Sequence, residues 1–267
     1  MYRSPQDPER IVTTRIRRLR GSRAEEADDT LAVEEPLEIF AGEEPLAVIM
    51  RTPGHDEELA AGFLHGEGLL PDHGHLLSLG VWRDAGGDLA QNRVTVRWRD
   101  GTPPASVQRR FQATSSCGLC GKTSVESALA LAPALAGRVV VAPEILYALP
   151  DRLRAAQSVF QATGALHAAG LFDLGGTLLT VREDVGRHNA VDKLIGRALL
   201  DGALPLDRHI LLVSGRVSFE IVQKALVARI PVIAAVSAPT SLAVQVARQA
   251  NIMLAGFLRD DRVNVYS

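Results

Sequence analysis

His209-Ile210-Leu211-Leu212-Val213 is an unbroken apolar run, and it opens the rhythm that decides the fold. A helix-like segment, Ser218 to Arg229, separates it from a second such run, Val232 to Val236; another, Thr240 to Ala250, leads on to Ile252 to Phe257. Strands apolar at successive positions are buried on both faces. Alternating with helices, they predict a largely parallel sheet covered on both sides. Upstream, Ala155 to Thr163 reads as helical and Leu171 to Val181 as strands turning at Gly175-Gly176. His188 to Leu200 reads as a helix with Val191, Leu194, Ile195 and Leu199 as its buried stripe.

Three polar segments each follow the carboxyl end of one of these strands: Ser214-Gly215-Arg216, Ser237-Ala238-Pro239-Thr240 and Arg259-Asp260-Asp261-Arg262. Open α/β sheets bind ligands outside those ends. Ser218 and Thr240 or Ser241 are placed to cap helices whose N-termini offer N–H groups to an anion. With Arg216, Arg259 and Arg262, this suggests a phosphate-bearing ligand, although each segment alone reads more simply as ordinary caps and turn residues. A further cluster, Arg182-Glu183-Asp184-Val185-Gly186-Arg187-His188-Asn189 with Asp192 and Lys193, puts Arg187, His188 and Asp192 on one helix face. A lone histidine at a helix start is ordinarily a structural hydrogen-bonder, but so many polar residues around one glycine do not read as core.

The first half has a different pattern. Arg15, Arg17, Arg18, Arg20 and Arg23 precede acidic Glu25, Glu26, Asp28 and Asp29, which reads as a solvated strand edge or flexible arm over residues 1–30, with a docking arm as the alternative. Leu31 to Phe40 and Pro45 to Arg51 form a hairpin around Ala41-Gly42-Glu43-Glu44. Asp56 to Leu70 is helical, with Leu59, Phe63 and Leu64 on one face, and Val81 to Trp82 and Arg93 to Arg99 are further strands joined by a turn at Asp84 to Gly87. Residues 31–104 thus read as a small α+β domain, followed by an α/β domain over 105–267.

Composition sets the limits. The 267 residues are 46% hydrophobic and 22% charged, with a formal net charge of -2, which suits one large or two modest domains. No global basic field implies nucleic-acid binding. No apolar run approaches the roughly eighteen residues of a membrane helix. The N-terminus, Met1-Tyr2-Arg3-Ser4-Pro5-Gln6-Asp7-Pro8, has no signal-peptide core, so a cytoplasmic location with reduced thiols is expected.

The chain has two cysteines, and both stand in Ser115-Ser116-Cys117-Gly118-Leu119-Cys120-Gly121-Lys122. A capping box at Thr123-Ser124-Val125-Glu126 and helix-forming residues Ser127 to Leu131 follow. A thiolate there gains from the second thiol, Lys122, backbone N–H groups and the helix start. One Cys-x-x-Cys is half a zinc site unless other ligands complete it. A thioredoxin-like redox pair lacks the βαβ unit that should present it. A buried structural pair does not suit flanking Ser, Gly and Lys. A nucleophilic or sulfur-carrying cysteine suits the polar setting, and residue chemistry alone leaves it close to the redox reading.

The cysteine segment, the run from Arg182 to Lys193, Ser214-Gly215-Arg216, Ser237-Ala238-Pro239-Thr240 and Glu57-Glu58-Leu59-Ala60-Ala61-Gly62-Phe63-Leu64 resemble the formate dehydrogenase accessory sulfurtransferase family. The resemblance runs from about Val33 to Tyr266, and the run around His188 is its most specific part. It implies a cytidine-deaminase-like three-layer α/β domain with a smaller N-terminal α+β domain, usually as a homodimer. It also implies sulfur taken from a cysteine desulfurase and passed to the molybdenum or tungsten bis(molybdopterin guanine dinucleotide) cofactor of formate dehydrogenase. That cofactor is cargo, with no resident cofactor or metal expected.

On this pattern Cys117 carries the persulfide and Cys120 resolves it. Phe257, Leu258, Arg259, Asp260, Asp261 and Arg262 match the cofactor-contacting stretch, with two adjacent acids where glycine-containing versions are common. Two rivals remain. A zinc deaminase would use His65-Gly66-Glu67 with Cys117 and Cys120, but Ser116 stands where a proline belongs and His65 falls on a first-domain helix. A chaperone that only holds the cofactor would use the same site.

Overall fold

A computed structural model describes residues 2–3, 10–83, 89–99, 101 and 125–267. Of the two forms expected over residues 1–30, a solvated strand edge or a flexible arm, the described residues take the first: strands β1 (Tyr2–Arg3), β2 (Ile11–Arg20) and β3 (Arg23–Ala32) pair antiparallel in the order β1-β2-β3. The reason lies in the charge blocks. Register sets Arg15 opposite Asp28, Arg17 opposite Glu26 and Arg18 opposite Glu25, so the basic run meets the acidic one across the ladder. Ile11 anchors the base of this hairpin against Val159 and Leu166.

Strands β4 (Glu35–Ala41) and β5 (Glu44–Arg51) form the expected hairpin. Helix α1 (Asp56–Gly66) follows, then β6 (Leu76–Arg83) and β7 (Leu89–Trp98), closing a sheet in the order β5-β4-β7-β6. Its buried face, with Leu37, Ile39, Ile49, Val94 and Val96, packs on Leu59, Phe63 and Leu64 of α1. The expected turn at 84–87 and the expected boundary near 104 lie outside the described residues.

The larger unit comprises α2 (Val125–Leu131), α3 (Pro143–Ala156), α4 (Ser158–Thr163), β8 (His167–Asp173), β9 (Leu178–Asp184), α5 (Arg187–Leu200), β10 (His209–Val213), α6 (Phe219–Val227), β11 (Val232–Ala235), α7 (Ser241–Gln249), β12 (Met253–Arg259) and β13 (Arg262–Val265). The sheet order is β13-β12-β11-β10-β8-β9. Within this sheet only the neighbouring pairs β10–β11 and β11–β12 are parallel. Strands β8, β9 and β13 join antiparallel, so the sheet is mixed rather than largely parallel. Tight hairpins at both edges leave no room for the crossover helix that a parallel neighbour needs. Helices α2, α5, α6 and α7 cover one face through Ala190, Leu194, Val222 and Val246, and α3 covers the other through Leu146, Leu149 and Leu153. This is a three-layer arrangement. Most of α3 escapes a sequence reading because Pro150 lies inside it. A proline costs an interior helix about 3 kcal/mol, and the buried leucine stripe offsets it. Among the described residues no helix is long and apolar enough to cross a membrane.

The two units meet where α1 crosses α5 backbone to backbone. A Cβ on Gly196 would lie 1.8 Å from the Glu58 carbonyl oxygen, and one on Gly62 would lie 1.9 Å from that of Asp192. Beside the crossing Arg182 donates two hydrogen bonds to the Glu58 carboxylate. Burial alone would raise that carboxyl, but Arg182 and His55 outweigh it and hold its pKa at about 2. Gly196→Ala is expected to destabilise the protein by about 3 kcal/mol or more through overpacking. Gly137→Ala, whose Cβ would meet nothing within 4 Å, should be close to neutral. Urea denaturation of both variants checks this.

Candidate functional site

Because β10, β11 and β12 are parallel, their carboxyl ends share one rim. Strand β8 runs the other way, which brings its first residue, His167, to the same rim opposite Asp184 at the end of β9. Helices α5, α6 and α7 start there. The loops are stitched to each other: Val217 N–H donates to Ala238 O (3.1 Å), Thr240 N–H to Val217 O (2.9 Å) and Phe257 N–H to Ser237 O (3.1 Å). Ser214 grips β8 twice, donating its amide to Ala168 O and accepting from Ala168 N–H at Oγ. The three polar segments expected to line a ligand crevice therefore form one continuous rim.

Individual residues divide between rim and interior. Thr240 caps α7 through Ala243 N–H, whereas Ser218 makes no such cap at α6. Its hydroxyl instead donates to Glu220 Oε2 (3.0 Å), and His188 Nε2 sits 2.8 Å from Ser218 Oγ and 3.0 Å from Glu220 Oε2. The hydrogen bond from His188 lowers the Glu220 pKa to about 2 against the opposing effect of burial. The segment Arg259 to Arg262 is the tight turn between β12 and β13 rather than a strand-to-helix loop, with Arg259 and Arg262 paired across it and both exposed. Asp260 takes a left-handed backbone there, at φ 52°. Phe257 does the same at φ 56° while 48% exposed, a costly conformation for an aromatic residue that marks a constrained position. Leu258 is buried in the layer beneath α3.

Most of the polar run from Arg182 is structural. Glu183 accepts the Val159 and Phe160 amides at the start of α4. Fully buried Asp184 and Lys193 pair at 2.7 Å, and both also bind the backbone of Thr52. Asn189 bridges Asp184 to Met50 O. Asp192 pairs with buried Lys224 at 2.7 Å. The expectation that Arg187, His188 and Asp192 share one helix face holds only in part: Asp192 is buried against Lys224, whereas Arg187 and His188 stand in the first turn at the rim.

His167 and Glu220 were not legible in the sequence, since neither belongs to a local pattern; strand register and the α5–α6 contact place them. Cys117, Cys120, Lys122 and the first half of the capping box, Thr123 and Ser124, lie outside the described residues, while α2, which starts at Val125, confirms the helix that follows them. His65 is buried in α1 with Nδ1 2.9 Å from Leu70 O, which makes it a structural hydrogen-bonder. Among the described residues no three His, Cys, Asp or Glu side chains group as metal ligands. The depressed Glu220 pKa carries a pH signature. Its stabilisation is full above the ordinary 4.5 and is lost as pH falls toward about 2. Glu220→Gln should lower Tm at pH 7, with a difference from wild type that narrows as melting is repeated between pH 4.5 and 3.

Comparison with known proteins shows what the chain as a whole resembles. The family model described as FdhD/NarQ matches residues 32–267. A protein of Streptomyces avermitilis named "Sulfur carrier protein FdhD" is 51% identical over 260 residues, 95% of this chain and 92% of the relative. Proteins of the same name from Mycobacterium tuberculosis and Sulfolobus acidocaldarius are 48% and 42% identical, covering 95% and 96% of this chain and the same shares of their own. A crystal structure described as a formate dehydrogenase accessory protein, from Desulfotalea psychrophila, shares the fold with a TM-score of 0.76 at 24% identity, covering 97% of both chains. The chain belongs to the FdhD/NarQ family.

Proposed function

We propose that this protein is a sulfurtransferase that carries sulfur as a persulfide on Cys117 and passes it to a bis(molybdopterin guanine dinucleotide) cofactor destined for formate dehydrogenase. The observation that carries this reading is the near-full-length match to proteins named sulfur carrier, in a chain whose two thiols form one Cys-x-x-Cys. The rim supports it, since it joins three helix starts, Arg187 and Arg216 into a surface suited to a large anionic cargo. The helix following the cysteines supports it too, because α2 packs on α7, which starts at that rim.

In the proposed chemistry the Cys117 thiolate attacks the outer sulfur of a cysteine desulfurase persulfide. The new S–S bond forms on Cys117 and the desulfurase thiolate leaves. Lys122 beside the pair favours the thiolate, and an attacking thiol works best with a pKa near ambient pH. Cys120 then attacks the inner sulfur, expelling the outer one as hydrosulfide to become a sulfido ligand of the metal substrate. A Cys117–Cys120 disulfide remains for a cellular dithiol to reduce. The β12–β13 turn, Phe257 to Arg262, holds a guanine nucleotide end of the cargo. A cytoplasmic homodimer with a cytidine-deaminase-like larger domain and a separate smaller domain completes the proposal. Enclosure between subunits would shield a persulfide that free thiols otherwise strip.

Mass spectrometry after incubation with a desulfurase and cysteine should find one added sulfur on the peptide bearing Cys117. A persulfide confined to Cys120, or none, would sink the assignment, and a Cys117→Ala protein that still activates formate dehydrogenase would favour a cofactor-holding chaperone. Separately, Arg259→Ala with Arg262→Ala should weaken GDP binding about tenfold or more in calorimetry, as expected for lost charge-assisted contacts. Unchanged affinity would move the nucleotide to the loops at Arg216 and Ser237.

A further inference from the structure

We infer that His167, Arg187 and Arg216 form an oxyanion subsite, distinct from the β12–β13 turn, that takes a phosphate or diphosphate group. The inference starts from charge balance around the start of α5. Each neighbouring charged group is already answered: Asp184 by Lys193, His188 by Glu220, Asp192 by Lys224 and Arg182 by Glu58. Arg187 and Arg216 are the exceptions. Among the described residues neither makes an ion pair or hydrogen bond, and Arg187 Nε is buried with no acceptor. A buried N–H without an acceptor costs free energy unless something supplies one, and a guanidinium fork matches phosphate oxygens.

The local geometry draws His167, Arg187 and the loop before Arg216 together. Gly215 lies between the two other members of the cluster: a Cβ there would sit 3.2 Å from His167 Nδ1 and 3.8 Å from Arg187 Cδ. The double grip of Ser214 on Ala168 fixes the loop against the strand that carries His167. The His167 ring has no hydrogen-bond partner among the described residues. It faces Asp184 on β9, Arg187 and His188 on α5 and Arg216 on the β10–α6 loop. Burial, then Arg187, His188 and Arg216, hold its pKa below the ordinary histidine value, with Asp184 opposing. These surroundings therefore favour a neutral ring. An arriving anion offsets those cations and favours the imidazolium, so binding takes up a proton and tightens as pH falls.

Position suggests what the subsite serves. Two strands, β10 and β11, lie between β8 and β12 in the sheet. At about 4.8 Å per strand, His167 and the β12–β13 turn are about 14 Å apart along the rim. Two anion-binding points at that spacing suit one elongated ligand with more than one phosphate. In naming a nucleotide diphosphate as its source, the inference rests on the cofactor reading above; the oxyanion site itself stands on the geometry.

Calorimetry of the full-length protein with pyrophosphate, inorganic phosphate and GDP tests it. Wild type should bind pyrophosphate, and Arg187→Gln and Arg216→Gln should each weaken it about tenfold or more. Titrations in two buffers of different ionisation enthalpy should reveal proton uptake that His167→Gln removes. GDP binding tighter than pyrophosphate would identify a nucleotide source, whereas equal affinity would identify the inorganic anion; both keep the subsite. Absence of pyrophosphate binding to wild type, or unchanged affinity in Arg216→Gln with an unaltered melting temperature, would overturn it. So would loss of pyrophosphate binding in Arg259→Ala with Arg262→Ala but not in Arg187→Gln. Persulfide formation on Cys117, measured on the same samples, reports separately on the sulfur-transfer reading.

Discussion

The crossing of α1 over α5 is the contact on which the rest of the structure depends. Gly62 and Gly196 let two helix backbones touch, and no other residue offers that approach, because any Cβ would fall inside the opposing carbonyl. The same crossing seats the Asp184–Lys193 pair on the Thr52 backbone, which joins the end of β5 to the start of α5. A buried pair of this kind adds little net stability compared with an apolar substitute, but each member is costly to leave alone. Its effect is therefore on register. Only one placement of the small unit satisfies both charges, and that placement orients α5, whose first turn carries Arg187 and His188 to the rim.

Charge is sorted by that arrangement. Carboxylates and cations that lie close in sequence are separated in space and matched with distant partners, as Glu58 is with Arg182 and Asp192 with Lys224. Around Lys224 burial works against the charge, but Asp192, Glu67 and Glu220 outweigh it and keep the ammonium above its ordinary range. Arg187 and Arg216, which make no ion pair among the described residues, lie at the edge of the sheet where the N-termini of three helices already favour anions. A pair of cations thus stands at the rim of a chain whose formal net charge is -2, because the neighbouring acids Asp184 and Asp192 are neutralised from within.

The regular β10–α6–β11–α7–β12 segment was readable because each strand is apolar at successive positions and each helix has its own stripe. Strand direction at the sheet edges was not. Strands β8, β9 and β13 are as apolar or as short as parallel ones, and only pairing shows them to be antiparallel. Similarly, Arg15 to Arg23 reads as a solvated charge run until Asp28, Glu26 and Glu25 are seen opposite it. The rim was legible as three polar segments after strand ends, but His167 sits in an ordinary strand start and carries no signal of its own.

By itself, then, the sequence determined the kinds of elements, the family through its long polar run, and the pairing of two thiols three residues apart, since each of these is written in local spacing. Only the tertiary structure decided which polar residues of that run are structural and which face the rim of the sheet. Asp184, Asn189, Asp192 and Lys193 look no different from Arg187 and His188 in one dimension. Their roles separate because α5 is packed on three sides, against α1, the sheet and α6, and buried charges must find partners there. Arg187, in the first turn of the helix, finds no such partner among the described residues, and its Nε is buried without an acceptor.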